Sequence, residues 1–306
     1  MSKKVALLKG GLSVEREVSL DSGIACANAL REAGYDVSEI DVDRNIASKL
    51  VELNPDVVFN ALHGRYGEDG TIQGLLEILE IPYTHSGVLA SALAMDKHQS
   101  KTLFKANGIP IANHIIAHRS QIGGHHLMKP PYVVKPVNEG SSVGIFLVKD
   151  ENAHPVQEIL GAEWQGGEML MVERYIPGKE LTCAVMGDVA LAVTEIITDL
   201  HFYNYEAKYE EHGSKHIIPA SIPQKIYDKV QSLSLNAHKA LGCKGVTRAD
   251  FRYNDFGGDE GELVCLEINT QPGMTKTSLV PEIAAHSGHD FIELVSWIVE
   301  DASCNR

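Results

Sequence analysis

Strand and helix patterns alternate from residue 4 to about residue 84, and this constrains the fold more than any other feature of the chain. Residues 5–8 form a short apolar run, followed by Gly10-Gly11 and a helical pattern over 19–33 that Gly34 closes. Residues 37–42 read as a second strand, 46–53 as a short helix, and 57–62 as a third strand after Pro55-Asp56. Gly70 precedes a helix carrying Leu75, Leu76, Ile78 and Leu79, and 81–83 starts another strand. Such βαβα order predicts a parallel sheet, whose ligands gather at the carboxyl ends of the strands. Two polar loops fall at such ends: GGLSVEREVS, with Glu15, and LHGRYGEDG, with His63. The double glycine is no GxGxxG fingerprint, so a dinucleotide site is not expected. A solvated loop is the plain alternative for each.

Residues 248–275 carry the densest cluster of candidate chemistry. Arg248, Asp250 and Arg252 alternate with Ala249, Phe251 and Tyr253, a turn signal follows, and a second strand spans 263–268. Its alternation predicts Glu267 and Asn269 on one face, with Val264, Leu266 and Ile268 opposite. An antiparallel hairpin brings Asp250, Glu267 and Asn269 onto one surface, with Arg248 beside them. Two carboxylates and a carboxamide, with no His or Cys, form an all-oxygen set suited to Mg²⁺. The same pattern also describes a hairpin whose polar face meets water.

With 306 residues the chain is too long for one ordinary core and predicts two or three domains. Hydrophobic residues at 44% and charged residues at 22% mark a soluble globular protein. A formal charge of −14 argues against nucleic acid or an anionic membrane as partner. It also means that a phosphate-bearing ligand needs a local cationic pocket. No apolar run approaches membrane-span length, and the start, MSKKVALLKGG, lacks the apolar core of a signal peptide. Cys26, Cys183, Cys243, Cys265 and Cys304 are scattered and never paired as CxxC, so reduced thiols in a cytoplasmic protein are expected.

A helix is expected from Met95-Asp96-Lys97 to Ala106, stopped by Asn107-Gly108-Ile109-Pro110. Lys135 ends a strand before Pro136 and NEGSSVGI, where glycines, hydroxyls and N–H groups suit a phosphate, although a flexible hairpin tip has the same composition. It is not a Walker A loop. Glu173 ends a strand over 169–172, and Glu180 begins another through 185. Both suit adenine or ribose as acceptors, or are ordinary surface glutamates. The irregular, aromatic-rich stretch 199–220 reads as a lid, with disorder as the competing reading. Amphipathic or apolar helices are expected over 223–241, after Pro281, and over 291–299.

The chain resembles the D-alanine–D-alanine ligases of the ATP-grasp superfamily. GGLSVEREVSL, ALHGRYGEDG, MDK, VVKPVNEGSSVG, FYNYEAKY, RADF and LEINTQPGMTKTSLVP carry the resemblance, in the family's order from residue 10 to 281. The resemblance implies an α/β chain in which an N-terminal parallel-sheet domain (1–96) precedes a two-part ATP-grasp fold. Its central part (97–183) holds the phosphate loop, and its C-terminal part (184–306) the lid and metal site. It also implies ATP-dependent joining of two D-alanines through an acyl phosphate, for peptidoglycan precursors, by a cytoplasmic homodimer. Asp250, Glu267 and Asn269 would hold two Mg²⁺, or Mn²⁺, with Glu267 bridging. Lys97, Lys135 and Lys208 would meet the ATP phosphates, with Glu139, Ser141 and Ser142 in the phosphate loop. Glu173 and Glu180 would hold the adenosine part. Glu15, supported by His63, would pair with the ammonium of the first D-alanine. Arg248 and the Gly273 N–H would stabilise the oxyanion, while Ser278 and Leu279 receive the second carboxylate. Ser141 and Tyr209 would bond Glu15 and shut the site, and an intact Tyr209 favours a dipeptide over D-alanyl-D-lactate. Another ATP-grasp carboxylate–amine ligase, a D-alanine–D-lactate ligase, and a nucleotide binder without catalysis are the alternatives.

Overall fold

The computed structural model describes residues 2–140, 144–150, 152–153, 156–198, 214–256 and 261–306. Ser141, Ser142, Lys208, Tyr209 and most of the expected lid lie outside the described residues.

Strand β1 (Lys4–Lys9) lies between β2 (Asp36–Asp41) and β3 (Val57–Asn60), both parallel to it. Val5 and Leu7 enter one core while Ala6 and Leu8 enter another, so β1 is buried on both faces, as a continuous apolar run in a parallel sheet requires. Helix α1 (Arg16–Glu32) buries Val18, Ser22, Cys26, Ala29 and Leu30, a stripe at helical spacing. Helices α2 (Ile46–Leu53) and α3 (Thr71–Ile78) follow β2 and β3. The strand expected over 81–83 shrinks to Tyr83, which bridges Val58 on one side and Ser303 on the other. Pro82 has no N–H to extend the ladder, and the carbonyls of Pro82 and Tyr83 accept from Val58 and from Ser303 and Arg306.

Asp96 separates α4 (Val88–Met95) from α5 (Lys97–Ala106), its carboxylate capping the N–H groups of His98 and Gln99. The next sheet is antiparallel, in the order β4 (His114–His118), β7 (Met169–Arg174), β5 (Tyr132–Pro136), β6 (Phe146–Val148). Helix α6 (Arg119–Gly124) covers it, and Ile122, Val134, Leu170 and Val172 share its core. The last sheet is also antiparallel, in the order β10 (Lys215–Ile217), β9 (Val189–Ile197), β8 (Lys179–Met186), β11 (Val246–Asn254), β12 (Glu262–Asn269). Helix α7 (Gln224–Leu241) lays Ile226, Val230 and Ala237 on one face of it beside Phe104 of α5. Helices α8 (Leu279–His286) and α9 (Phe291–Glu300) cover the other face, where Ile283 and Leu294 join Val5, Leu7 and Phe59. That shared core clamps the first sheet to the last and aims the β1 and β3 loops at the β11–β12 hairpin.

Candidate active site

The hairpin pairs Arg248 with Asn269 and Asp250 with Glu267, so the four side chains occupy neighbouring positions on one face. The face assignment along β12 differs from simple alternation. Asp250 opposes Glu267 but Phe251 opposes Cys265, which leaves Leu266 as the extra residue of a bulge. Leu263 and Cys265 therefore face the core with Phe251, whereas Leu266 and Glu267 both line the cleft. Without that insertion Glu267 would share the core face of Leu263 and Cys265.

Arg248 and Asp250 are two residues apart on β11 and both buried. The guanidinium donates from Nε to Oδ1 at 2.9 Å and from Nη2 to Oδ2 at 2.8 Å, a two-point pair. The Thr182 hydroxyl of β8 donates to Asp250 Oδ1 at 2.6 Å. Lys97, first residue of α5, lies 3.3 Å from Glu267 Oε2 and donates to the Glu139 carbonyl at 2.7 Å. It thus ties the metal-binding candidates to the loop after β5. Asn269 Oδ1 accepts from the Gln271 N–H at 2.9 Å and keeps a further lone pair. Among the described residues no group of three or more His, Cys, Asp or Glu side chains is gathered as a metal cage. Asp250, Glu267 and Asn269 instead offer a small set of hard oxygens, which fits Mg²⁺ retaining water and phosphate ligands.

Above the hairpin stand the β1 and β3 loops. Glu15 is buried, and its backbone N–H is held by the Ser13 hydroxyl, which itself donates to the His63 carbonyl at 2.7 Å. Gly64, at φ +68°, passes so close that an added Cβ would sit 2.4 Å from Glu15 Oε2. Gly140 approaches the same carboxylate from the loop after β5. The His63 ring is buried against the Ser22 hydroxyl, 3.2 Å from Nε2. Burial pushes its pKa down to about 4, so it stands neutral beside the Arg248 cation. Glu68 goes the other way: burial, then the nearby Glu15 carboxylate, pushes its pKa up to about 8.

Two cavities adjoin here, with Lys97, Glu139, Gly140 and Glu267 in the wall common to both. The first is polar and is closed by Glu15, His63, Glu68 and Arg248, with Gly273, Ser278 and Leu279 across it at the α8 N-terminus. Ser278 Oγ accepts from the Thr275 N–H at 2.9 Å, and a Cβ on Gly273 would fall 2.9 Å from that oxygen. The second cavity is an apolar slot between Val133, Ile145, Ile176 and Leu266, with Lys135, Glu173 and Glu180 at its polar edges. Glu180 pairs with Arg252 at 3.3 Å. Lys135 donates to Glu173 Oε2 at 2.7 Å. Lys97, Lys135 and Arg248 make the local cationic lining that a chain of charge −14 needs to hold a phosphate.

Four buried groups contribute to the pH dependence of stability with opposite signs. His63, His85 and His238 are held neutral by burial, with pKa values lowered to about 4, 3 and 4. Between pH 4 and 6.5 the unfolded chain therefore binds more protons at these rings than the native one, and their contribution to stability is lost as pH falls through that window. Glu68 acts with opposite sign. Its raised pKa keeps a proton in the native state up to about pH 8, so stability falls as pH rises from 4.5 to 8. The three rings together outweigh Glu68 below pH 6.5, and of these four groups only Glu68 acts between pH 6.5 and 8. Urea unfolding is expected to show greatest stability near pH 6.5, with losses of up to about 1.4 kcal/mol per pH unit on the alkaline side. Glu68→Gln should flatten that alkaline limb, and a limb that persists in the variant would show that another group causes it.

Glu15, His63, Lys97, Lys135, Glu139, Glu173, Glu180, Arg248, Asp250, Glu267, Asn269, Gly273, Ser278 and Leu279 all line one cavity or the other. Sequence reasoning missed Glu68 and Lys101. Glu68 lies in the LHGRYGEDG loop already singled out for His63, and Lys101 follows Lys97 at the four-residue spacing that puts both on one face of α5.

A parallel-sheet domain followed by two antiparallel sheets around a two-chambered cleft defines a protein of the ATP-grasp class. A family model for the D-ala D-ala ligase C-terminus matches residues 103–300, and one for the N-terminus matches 45–86. A D-alanine–D-alanine ligase of Rhizobium meliloti (strain 1021) is 63% identical over 306 residues, 100% of this chain and 99% of the relative. D-alanine–D-alanine ligase B of Brucella suis biovar 1 (strain 1330) is 60% identical over 305 residues, 99% of each chain. The crystal structure of the Bacillus anthracis D-alanine–D-alanine ligase complexed with ATP is 31% identical, with a TM-score of 0.81 over 98% of this chain and 97% of that one. The chain belongs to the D-alanine–D-alanine ligase family.

Proposed function

We propose that the protein joins two D-alanines to D-alanyl-D-alanine at the expense of ATP, releasing ADP and phosphate, for peptidoglycan precursors. The observation that carries this reading is the pair of adjoining cavities with Lys97 and Glu267 in their common wall. One chamber suits a purine nucleotide and the other two small amino acids, so the terminal phosphoryl group meets a carboxylate at the wall. The family relationship supports the same reaction, and the ATP-bound Bacillus anthracis relative supports ATP as the nucleotide.

Glu15 accepts the ammonium of the first D-alanine, and neutral His63 lies beside it without adding a competing cation. The carboxylate of that D-alanine attacks the γ-phosphorus of ATP; the bond from phosphorus to the bridging oxygen breaks and ADP leaves. Lys97 and Lys135 neutralise phosphate oxygens as charge moves between them. The amine of the second D-alanine, its carboxylate held at the α8 N-terminus by Ser278 and Leu279, then attacks the acyl carbon. Arg248 and the Gly273 N–H stabilise the oxyanion before inorganic phosphate departs. Asp250, Glu267 and Asn269 would hold Mg²⁺, or Mn²⁺, which supplies charge neutralisation for the transferring phosphoryl group. Ser141, Ser142, Lys208 and Tyr209 keep the roles that family likeness gives them, as do the division at residues 96 and 183, the homodimer and the cytoplasmic location. Among the described residues no helix is long and apolar enough to cross a membrane.

Inorganic phosphate release from ATP should require both a divalent cation and D-alanine, with L-alanine inactive. Absence of D-alanine-dependent turnover in folded protein would sink the proposal, and faster turnover with D-lactate as acceptor would redirect it to depsipeptide synthesis.

A further inference from the structure

Lys101 is fully buried, lines neither cavity, and has no part in the reaction described above. Its ammonium lies 2.7 Å from Glu173 Oε1 and donates to the Cys265 carbonyl at 3.3 Å. The other oxygen, Oε2, takes Lys135 at 2.7 Å. Glu173 is thus gripped from two sides: by Lys135 from the cleft and by Lys101 from behind, within the protein. Burying an ammonium is costly, and an apolar side chain of similar volume is often tolerated as well or better at such a site, so packing alone does not account for a lysine here.

We propose that Lys101 is a positioning residue for nucleotide-base selection, holding the Glu173 carboxylate anionic and oriented so that it takes only a base that presents a hydrogen-bond donor. This rests on reading the apolar slot as the nucleotide chamber. Lys135 also faces the phosphates and is drawn to them when nucleotide binds, whereas Lys101, which lines neither cavity, pairs among the described residues with Glu173 alone. It keeps Glu173 charged throughout the cycle. Burial by itself would raise the Glu173 pKa, but Lys101 and then Lys135 overcome it and hold the group at about 2. Glu173 lines the slot, and its cleft-side oxygen Oε2, which accepts one proton from Lys135, keeps a further lone pair for a ligand. An ionised carboxylate can only accept. The 6-amino group of adenine satisfies it; the 6-oxo group of hypoxanthine sets lone pair against lone pair in a desolvated slot, the arrangement that gives large discrimination.

The test compares ATP with inosine triphosphate at saturating D-alanine and Mg²⁺, in the unmodified protein, Lys101→Met, Glu173→Gln and the double variant. Lys101→Met is expected to raise KM for ATP about tenfold, with kcat within about threefold, and to shrink the ATP-over-inosine preference in kcat/KM at least about tenfold. In the Glu173→Gln background, adding Lys101→Met should leave that preference unchanged, because the lysine acts only through the carboxylate. A lysine that merely supports the fold would lower kcat/KM for both nucleotides alike, and an unchanged preference in folded Lys101→Met overturns the proposal. Should that variant not fold, the comparison of Glu173→Gln with the double variant, which removes both buried charges together, still decides: a further change in preference overturns it. ATP titration of the unmodified protein separates the two levels. No ATP binding defeats the nucleotide-chamber reading itself, whereas ATP binding with an unaltered preference defeats only the role of Lys101.

Discussion

Arg248→Ala is expected to cut turnover at least about a hundredfold, the usual cost of removing a donor aimed at a developing oxyanion. Two effects contribute, and they are separable. Alanine removes the planar fork that suits phosphoryl and carboxyl oxygens. It also strips the buried Asp250 carboxylate of both its guanidinium bonds, leaving, among the described residues, the Thr182 hydroxyl at 2.6 Å. An uncompensated buried charge of that kind costs about 3 kcal/mol or more in stability. Arg248→Lys keeps a cation beside Asp250 but loses the fork, so it should recover most of the folding stability and little of the turnover. Near-normal rates in either folded variant would reject an oxyanion role for this side chain. If kcat returned with stability in the lysine variant, Arg248 would be acting only as a counter-ion.

Much of this arrangement was legible because it depends on local pattern. The continuous apolar run at the start of the chain became β1, the capping Asp96 opened α5, and the Arg248–Asp250–Arg252 alternation became one face of β11. The hidden parts depend on contacts between distant residues. The bulge at Leu266 reverses the face of everything after it, and alternation cannot reveal where a strand gains a residue. Glu267 and Asn269 did share a face with Asp250, but Val264, Leu266 and Ile268 did not form the opposite one. Tyr83 read as the start of a strand, yet its neighbours across the chain, Ser303 and Arg306, limit it to a bridge. Beyond its spacing from Lys97, nothing in the sequence marks Lys101; the fold alone buries its charge against Glu173. The raised pKa of Glu68 is likewise a product of burial and of Glu15 arriving from another loop.

Glu267→Gln tests the inorganic half of the mechanism with the smallest possible change of shape. Glu267 stands opposite Asp250 across the hairpin and 3.3 Å from Lys97, in the wall common to both cavities. A carboxamide fills the same space but carries no charge and can place a donor where a cation requires an acceptor. Loss of even an outer partner of a metal ligand costs 10- to about 100-fold in metal affinity, so loss of a direct ligand should cost at least about a hundredfold in apparent Mg²⁺ affinity. Turnover at ordinary Mg²⁺ should fall by a similar factor and recover in part as Mg²⁺ is raised, which a purely structural defect would not permit. Binding of Mn²⁺ in the presence of ADP, followed by its paramagnetic resonance signal, gives a readout free of turnover. Lys97 sharpens the comparison: once Glu267 is neutral, its ammonium loses an anionic neighbour and gains attraction for phosphate, so affinity for ATP without metal should hold or rise while the metal complex weakens. Divalent-cation titrations that superimpose for the two proteins would remove Glu267 from the metal site and leave it as a counter-ion to Lys97.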